Sequence, residues 1–427
     1  MKITFHIQEL GRLKDTSFDL HPLLIFTGDS NLGKSYCAFL VYGFLKSLET
    51  ELFEHFVAKL FNFNELEERM KKGETVEIVF EMKQLEAFFK ENIQGIVGSL
   101  IGYDEVNCKA ELEILQDDIY IECRLNENGD SFGYSFSGVN IKSEYWLNTS
   151  FLTLLISEIK THINRRIFRS YDRKNVLIFP PARGTILSST FSVQKAVSAN
   201  MRMYVEFLKD MDKLREPNFG KTEVNAEIMG KIKDIMEGEI KTRQNEIYYQ
   251  FDNQSIPITA AASSIKELAP LFLLLKKYPP SYISLLFEEP ESHLHPAMQQ
   301  KLADLLAFMV NQGAFLQITT HSSYLLTEWN NLLRLYFIQQ KNEIAFQEIL
   351  AETGLEAEST LTPESVGAYY FDIRKDGSVQ LVKSEITENE QIKFNTFQKI
   401  TPQMNESRYL LKEKLAELNE KEYEKTN

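Results

Sequence analysis

Phe26-Thr27-Gly28-Asp29-Ser30-Asn31-Leu32-Gly33-Lys34-Ser35 fits the pattern G-x-x-x-x-G-K-[ST] with no gap and no substitution. Its flanks fit as well. Leu23-Leu24-Ile25-Phe26 is an apolar run of the buried parallel-strand type, and Tyr36-Cys37-Ala38-Phe39-Leu40-Val41 continues past Gly43 to Leu45 as a helix. Gly28 and Gly33 let the backbone curl, so that the N–H groups of Asp29, Ser30, Asn31, Leu32 and Tyr36 converge on phosphate at the positive end of that helix. Lys34 is placed to reach β- and γ-phosphates, and the Ser35 hydroxyl to ligate Mg²⁺. The plain alternative is a glycine-punctuated turn before a core helix; by chance the pattern arises in roughly one chain in a hundred of this size. The stretch reads as a nucleotide-binding loop in an α/β domain.

A loop of this kind needs acids opposite its lysine. Tyr282-Ile283-Ser284-Leu285-Leu286-Phe287 is a second buried-strand run, and it ends in Glu288-Glu289-Pro290-Glu291. We assign Glu288 to the metal and Glu289 to polarising the attacking water. Ala314-Phe315-Leu316-Gln317-Ile318-Thr319-Thr320 is a third strand with His321 at its carboxyl end. In a parallel sheet the loop, the acids and His321 would emerge along one edge, where ligands bind. Leu294-His295-Pro296 opens a helix with Met298, Leu302, Leu305, Leu306 and Met309 on one face, Pro296 being its first residue. That helix start explains Glu291, His293 and His295 better than a metal cluster does. Ser264 and Glu267 make a capping box opening a further apolar helix, although its serine-bearing start could equally grip a phosphate.

The 427 residues suffice for one large domain or two to three ordinary ones, and 43% hydrophobic with 25% charged residues allows a sizeable core. A net charge of −14 argues against a uniformly DNA-coating protein and leaves room for a local basic patch. Cys37, Cys108 and Cys123 have no paired or metal-type spacing and read as reduced thiols, no secretory signal opens the chain, and no apolar run has the length of a membrane span. A cytoplasmic protein without a membrane partner is expected.

Lys2 to Ile7 and Phe18 to Leu20 predict an antiparallel pair leading into the loop strand. Glu51 to about Lys90 has helical spacing broken at Lys71-Lys72-Gly73, while residues 110–115 and 119–125 alternate as a hairpin. Residues 50–174 are thus an α+β insertion splitting a nucleotide domain made of 1–49 and 175–385, with a helical tail over 386–427. Lys160, His162, Arg165, Arg166, Arg169, Arg173 and Lys174 form a basic stretch, either a solvated helix face or a patch for nucleic acid or an acidic partner. Val176-Leu177-Ile178-Phe179 predicts a strand, after which Arg183 either faces the nucleotide or braces the turn. Helices are expected over Gln194–Leu214 and Val224–Met236, and a strand pair over 246–251 and 256–258 around Asn253. Ala368 to Ile373 predicts a strand turned back by Lys375-Asp376-Gly377 into Val379 to Val382.

Taken together, the loop, the long insertion, the serine-rich helix start, Glu288-Glu289-Pro290-Glu291, His293-Leu294-His295-Pro296 and Thr320-His321-Ser322-Ser323 resemble the ABC-type ATPase heads of the SMC/RecF/OLD group, especially its stand-alone prokaryotic AAA family ATPases. The resemblance covers about residues 1–48 and 175–385. It implies an ABC-type P-loop head with a mixed sheet, in which Gly28 to Ser35 is the Walker A loop. Glu288 and Glu289 are then the Walker B acids, Glu291 to His295 the D-loop and His321 the switch histidine. Ser263 and Ser264 stand at the ABC signature, which touches the γ-phosphate held by the other subunit. Ile265 replaces the usual signature glycine, Glu288 the commoner Asp, and Gln194 is offered for the Q-loop without a motif around it. The resemblance also implies an ATP-sandwiched homodimer or higher homo-oligomer that uses ATP and Mg²⁺. A separate effector, a nuclease or toxin of the phage-defence kind, is implied with it, since the chain carries no acidic pattern of the Toprim nuclease. The competing expectations are a DNA-repair or chromosome-maintenance ATPase holding DNA through Arg165, Arg166, Arg169 and Arg173, and a scaffold that holds ATP without hydrolysing it.

Overall fold

The six residues Leu23–Gly28 are all buried and form an interior strand, here the loop strand, of a nine-stranded sheet. They are described, with residues 2–103, 105–125, 131–136, 139–146, 151–168, 174–188, 193–198, 202–216, 226–244, 246–393, 408–411 and 414, by a computed structural model. The sheet runs in the order Cys108–Leu115, Lys2–Leu10, Leu13–Asp19, Val379–Lys383, Val366–Ile373, Leu23–Gly28, Phe315–Thr320, Ile283–Glu288, Asn175–Phe179. The last five are mutually parallel, and their near-continuous apolar sequences follow from helices covering both faces. The strand pair Lys2–Leu10 and Leu13–Asp19 is antiparallel, as is the pair Val366–Ile373 and Val379–Lys383. The sheet is therefore mixed, and the fold is α/β.

The helix after the loop, Lys34–Ser47, is apolar on nearly every side because it is enclosed. Gly43 permits the long helix Met82–Ile101 to cross it closely; a Cβ at Gly43 would stand 2.6 Å from the Ile96 side chain. Phe5, Phe44 and Phe89 meet edge to face between that helix pair and the sheet, with centroids 5.6–6.1 Å apart.

The segment 50–174 departs from its expected outline. Helix Glu51–Leu60 is followed by Phe63–Lys71, which ends next to Gly73, whose φ of 81° is what the break requires, but Val76–Phe80 is a strand. The hairpin expected over 110–125 does not form. Cys108–Leu115 pairs instead with Lys2–Leu10 at the edge of the main sheet, while Ile119–Leu125 joins Val76–Phe80, Ser131–Phe136 and Val139–Trp146 in a separate four-stranded sheet. The physical reason is burial: Cys108, Ala110, Leu112 and Ile114 turn one face inward, a face that a solvent-exposed hairpin would leave wet. Asp118, in the connection, accepts the Met82 N–H at 2.8 Å and holds the crossing in place.

Downstream, helices cover Val193–Ser198, Arg202–Arg215 and Ala226–Met236, and the expected pair Glu246–Phe251 with Gln254–Pro257 gains a third strand, Glu239–Arg243. Of the helical tail expected over 386–427, residues 394–407, 412–413 and 415–427 lie outside the described residues; 408–411 are helical. The three cysteines are buried and free. Among the described residues no helix is long and apolar enough to cross a membrane.

Candidate nucleotide site

Three adjacent parallel strands deliver the site. Leu23–Gly28 ends in the loop, Phe315–Thr320 in His321 and Ile283–Glu288 in the acids, so all three expected elements meet at one carboxyl edge. The loop has the backbone its glycines predict. Gly28 has φ 136°, Asn31 φ 62° and Gly33 φ 96°, and a Cβ at Gly28 would lie 3.0 Å from the Phe371 carbonyl oxygen. No side chain caps the helix at Gly33, which leaves its first N–H groups turned toward the loop's concavity.

Lys34 is buried and donates to the carbonyls of Gly28, at 3.2 Å, and Asp29, at 2.8 Å. Burial pushes its ammonium down to about 8, against the pull of Glu289 and Asp29. The Ser35 hydroxyl donates to the Glu288 carboxylate. Glu288 is 3% exposed, and burial pushes its carboxyl up to about 7, with the Ser35 hydrogen bond pulling the other way. Its other oxygen is buried without a hydrogen-bond partner. A hydroxyl, a carboxylate and an orphaned anionic oxygen in contact fit a hard divalent cation such as Mg²⁺, whose charge would offset that desolvation.

Glu289 follows at φ 43°, in the left-handed region that residues other than glycine rarely adopt. Its N–H is held by the Thr319 carbonyl at 3.0 Å, and the Ser292 hydroxyl donates to its carboxylate at 3.3 Å. Glu291 accepts from the Thr320 hydroxyl and from the N–H groups of His321 and Ser322, at 2.8, 2.7 and 3.1 Å. It thereby fixes the turn that carries His321, whose ring pKa is lowered by burial and then by Lys34. His295 Nδ1 accepts from Ala297 N–H at 3.3 Å, capping the helix Pro296–Asn311. No group able to hold a metal through His, Cys, Asp and Glu alone is found among the described residues.

One expectation is corrected. The Ser264–Glu267 capping box is absent: the cap of helix Ser263–Lys277 is Ala262, with no side-chain bond. Glu267 is drawn away by a stronger partner, the buried Arg183, and accepts the Gly184 N–H at 3.1 Å. Arg183 accordingly braces the turn. It donates to the carbonyls of Glu267 and Glu288 at 2.9 and 3.0 Å and lies over the Phe287 ring. The basic stretch is mostly spent internally. Lys160 pairs with Glu54 at 2.7 Å, Arg166 donates to the carbonyls of Asp117 and Asp118, and Lys174 to those of Ser281 and Gly313. Arg169 and Arg173 lie outside the described residues.

Ser263 is exposed and Ser264 half-buried, and among the described residues no hydrogen bond joins either to the loop or to the acids of the same chain. Gln194 is exposed on the short helix Val193–Ser198. Tyr204, on the helix Arg202–Arg215, has its phenol pushed up by burial and then by the charge of Glu288. Nothing in its surrounding sequence distinguishes it from a core aromatic at helical spacing.

Among solved structures, the chain is similar to an SMC head bound to the C-winged helix domain of ScpA, at 13% identity and TM-score 0.41, covering 91% of this chain and 98% of that one. The SMC head domain from Thermotoga maritima matches at 11% identity and TM-score 0.36, over 90% of this chain and 100% of its own. An Smc head domain with an extended coiled coil, bound to the C-terminal domain of ScpA and derived from Pyrococcus furiosus, matches at 13% identity and TM-score 0.37, covering 96% and 100%. A search of curated proteins found none similar to this chain. The family model described as AAA ATPase domain matches residues 1–326, and the chain belongs to that family.

Proposed function

We propose that this protein hydrolyses ATP with Mg²⁺, that two copies close on two ATP molecules, and that this closure is a switch read by a separate effector. The supporting observation is the contact between Ser35 and Glu288, which brings the two expected metal-binding groups together beside Lys34. Lys34 exchanges the carbonyls of Gly28 and Asp29 for phosphate oxygens, while the N–H groups of residues 29–36 cradle the remainder. Ser35 and Glu288 would hold the Mg²⁺, whose charge would offset that of the β- and γ-phosphates. Glu289, oriented by Ser292, takes the proton of the attacking water, and His321 donates to the γ-phosphate. Ser263 and Ser264 present the start of their helix to the partner copy's γ-phosphate. The effector follows from the resemblance, which implies a nuclease or toxin in phage defence.

The test is steady-state ATP hydrolysis by the wild type and Glu289→Gln, with mass followed by light scattering. We expect hydrolysis to fall at least ~100-fold in the variant, with ATP trapping a dimer. Wild-type turnover unchanged by the substitution would remove Glu289 from its role, and a monomer under saturating ATP would remove the sandwich.

A further inference from the structure

Arg183 and Glu267 form a buried pair outside the phosphate contacts, and their bonds run to both halves of the machinery. Arg183 is 0% exposed and Glu267 2%. Nη1 of Arg183 donates to the carbonyls of Glu288 at 3.0 Å, Glu289 at 3.5 Å and Pro180 at 3.4 Å. Nε donates to the Glu267 carbonyl at 2.9 Å and stands 3.4 Å from its carboxylate. The guanidinium lies 4.5 Å over the Phe287 ring, in the strand that delivers the acids. Glu267 in turn belongs to the helix that begins with Ser263 and Ser264. The junction has no slack: a Cβ at Gly184 would stand 2.8 Å from the Glu267 carboxylate and 2.9 Å from the Lys266 side chain.

One planar group thus bonds the carbonyls of Glu288 and Glu289, in the two peptides that flank the Glu289 Cα, at a residue held at φ 43°, and also the Glu267 carbonyl in the serine-bearing helix. A backbone in that region returns toward an ordinary conformation unless its surroundings over-determine it. Arg183 shares that task with the Thr319 carbonyl, which takes the Glu289 N–H at 3.0 Å, and the Ser292 N–H, which donates to the Glu289 carbonyl at 3.1 Å; of the three it alone also reaches Glu267. Any shift of Glu288 and Glu289 on taking up the cation and water moves their carbonyls, and a rigid fork moves Glu267 with them.

We infer that Arg183 is a positioning residue, transmitting nucleotide occupancy from Glu288 and Glu289 to the Ser263–Ser264 helix start of the same chain through Glu267. This rests on the ATP-site reading above, but it is a property of one chain and needs no partner copy. It makes the two ends of the site report to each other before any docking.

Hydrogen–deuterium exchange tests it on the full chain, carrying Glu289→Gln and diluted until light scattering finds single chains. We expect Mg·ATP to slow exchange of amides 28–35 and to change that of amides 264–268 by about fivefold or more. Arg183→Lys, which keeps the charge and loses the fork, should abolish the second response and leave the first. In the chain with Glu289 intact, Arg183→Lys should lower kcat about tenfold or more with KM for ATP unchanged. If Arg183→Lys does not fold, Arg183→Gln takes its place, since its shorter amide cannot span from the Glu288 carbonyl to that of Glu267. A response at 264–268 that survives either folded variant, or is missing from the parent while 28–35 are protected, overturns the inference. Loss of protection at 28–35 in the parent instead overturns the ATP-site reading, and the inference with it.

Discussion

The hydroxyl of Ser35 donates to the carboxylate of Glu288, 253 positions later in the chain. That bond joins the start of the loop helix to the end of the acidic strand, and its energetics are those of a buried acid with a hydroxyl for a partner. Burial holds Glu288 at about 7 against an ordinary 4.5, so the folded protein binds a proton more tightly than the unfolded chain. This group's contribution to stability is therefore fully present below 4.5 and is lost as pH rises through 7.

Glu288→Gln should remove that dependence. Without nucleotide or Mg²⁺, the variant is expected to be more stable than the wild type at pH 8, by up to about 3 kcal/mol, with the gap closing towards pH 5. Thermal melts across that range check it; parallel wild-type and variant curves would refute it. Mg²⁺-dependent hydrolysis should be lost in the same variant.

Lys34 sets a second pH dependence, of the same origin and opposite direction. Burial holds its ammonium near 8, and only the charged form attracts phosphate. ATP affinity should be level below pH 8 and fall about tenfold per unit above it. Lys34→Met should bind ATP at least ~100-fold more weakly, with no such slope. Titration calorimetry from pH 7 to 9.5 measures both.

Glu291 is expected to be more costly to remove than its distance from phosphate suggests. It satisfies three donors, from Thr320, His321 and Ser322. Glu291→Ala should destabilise the fold by about 2–4 kcal/mol and displace His321, whereas His321→Ala should leave the melting temperature nearly unchanged. Both should lower kcat with little change in ATP affinity. Denaturant unfolding together with turnover separates the two cases.

Gly28→Ala strains the loop from two directions. The residue's φ is 136°, and the new methyl would meet the Phe371 carbonyl oxygen at 3.0 Å and its Cβ at 3.1 Å. The expected result is a loss of about 1–3 kcal/mol in stability and at least ~10-fold in ATP affinity. Normal affinity in a melt-shifted variant would show that the loop tolerates displacement from Phe371.

The parts of the site that sequence reasoning reached are those written contiguously. Gly28 to Ser35 carries its own geometry in its glycines, and Glu288 and His321 each close a buried strand whose apolar run shows which way the chain emerges. What it missed depends on partners distant in sequence. Ser264 and Glu267 have the spacing of a capping box, yet Arg183, 84 residues earlier, offers Glu267 a buried cation that no local N–H can match. Residues 108–125 alternate like a hairpin, and alternation cannot say which sheet a strand will join; the apolar face of Cys108–Leu115 chose the main one.

The placement of Cys108–Leu115 also limits how this protein can be cut. A splice joining residue 49 to residue 175 looks like removal of a cassette, but it would strip the outermost strand from the main sheet. Lys2–Leu10 would then present an open row of backbone N–H and carbonyl groups, a template for pairing with other chains. The same splice would uncover the helix Lys34–Ser47, which Met82–Ile101 now shields at Gly43. The truncated protein should come out of the cell as aggregate, and minimal versions of this ATPase must keep residues 82–115.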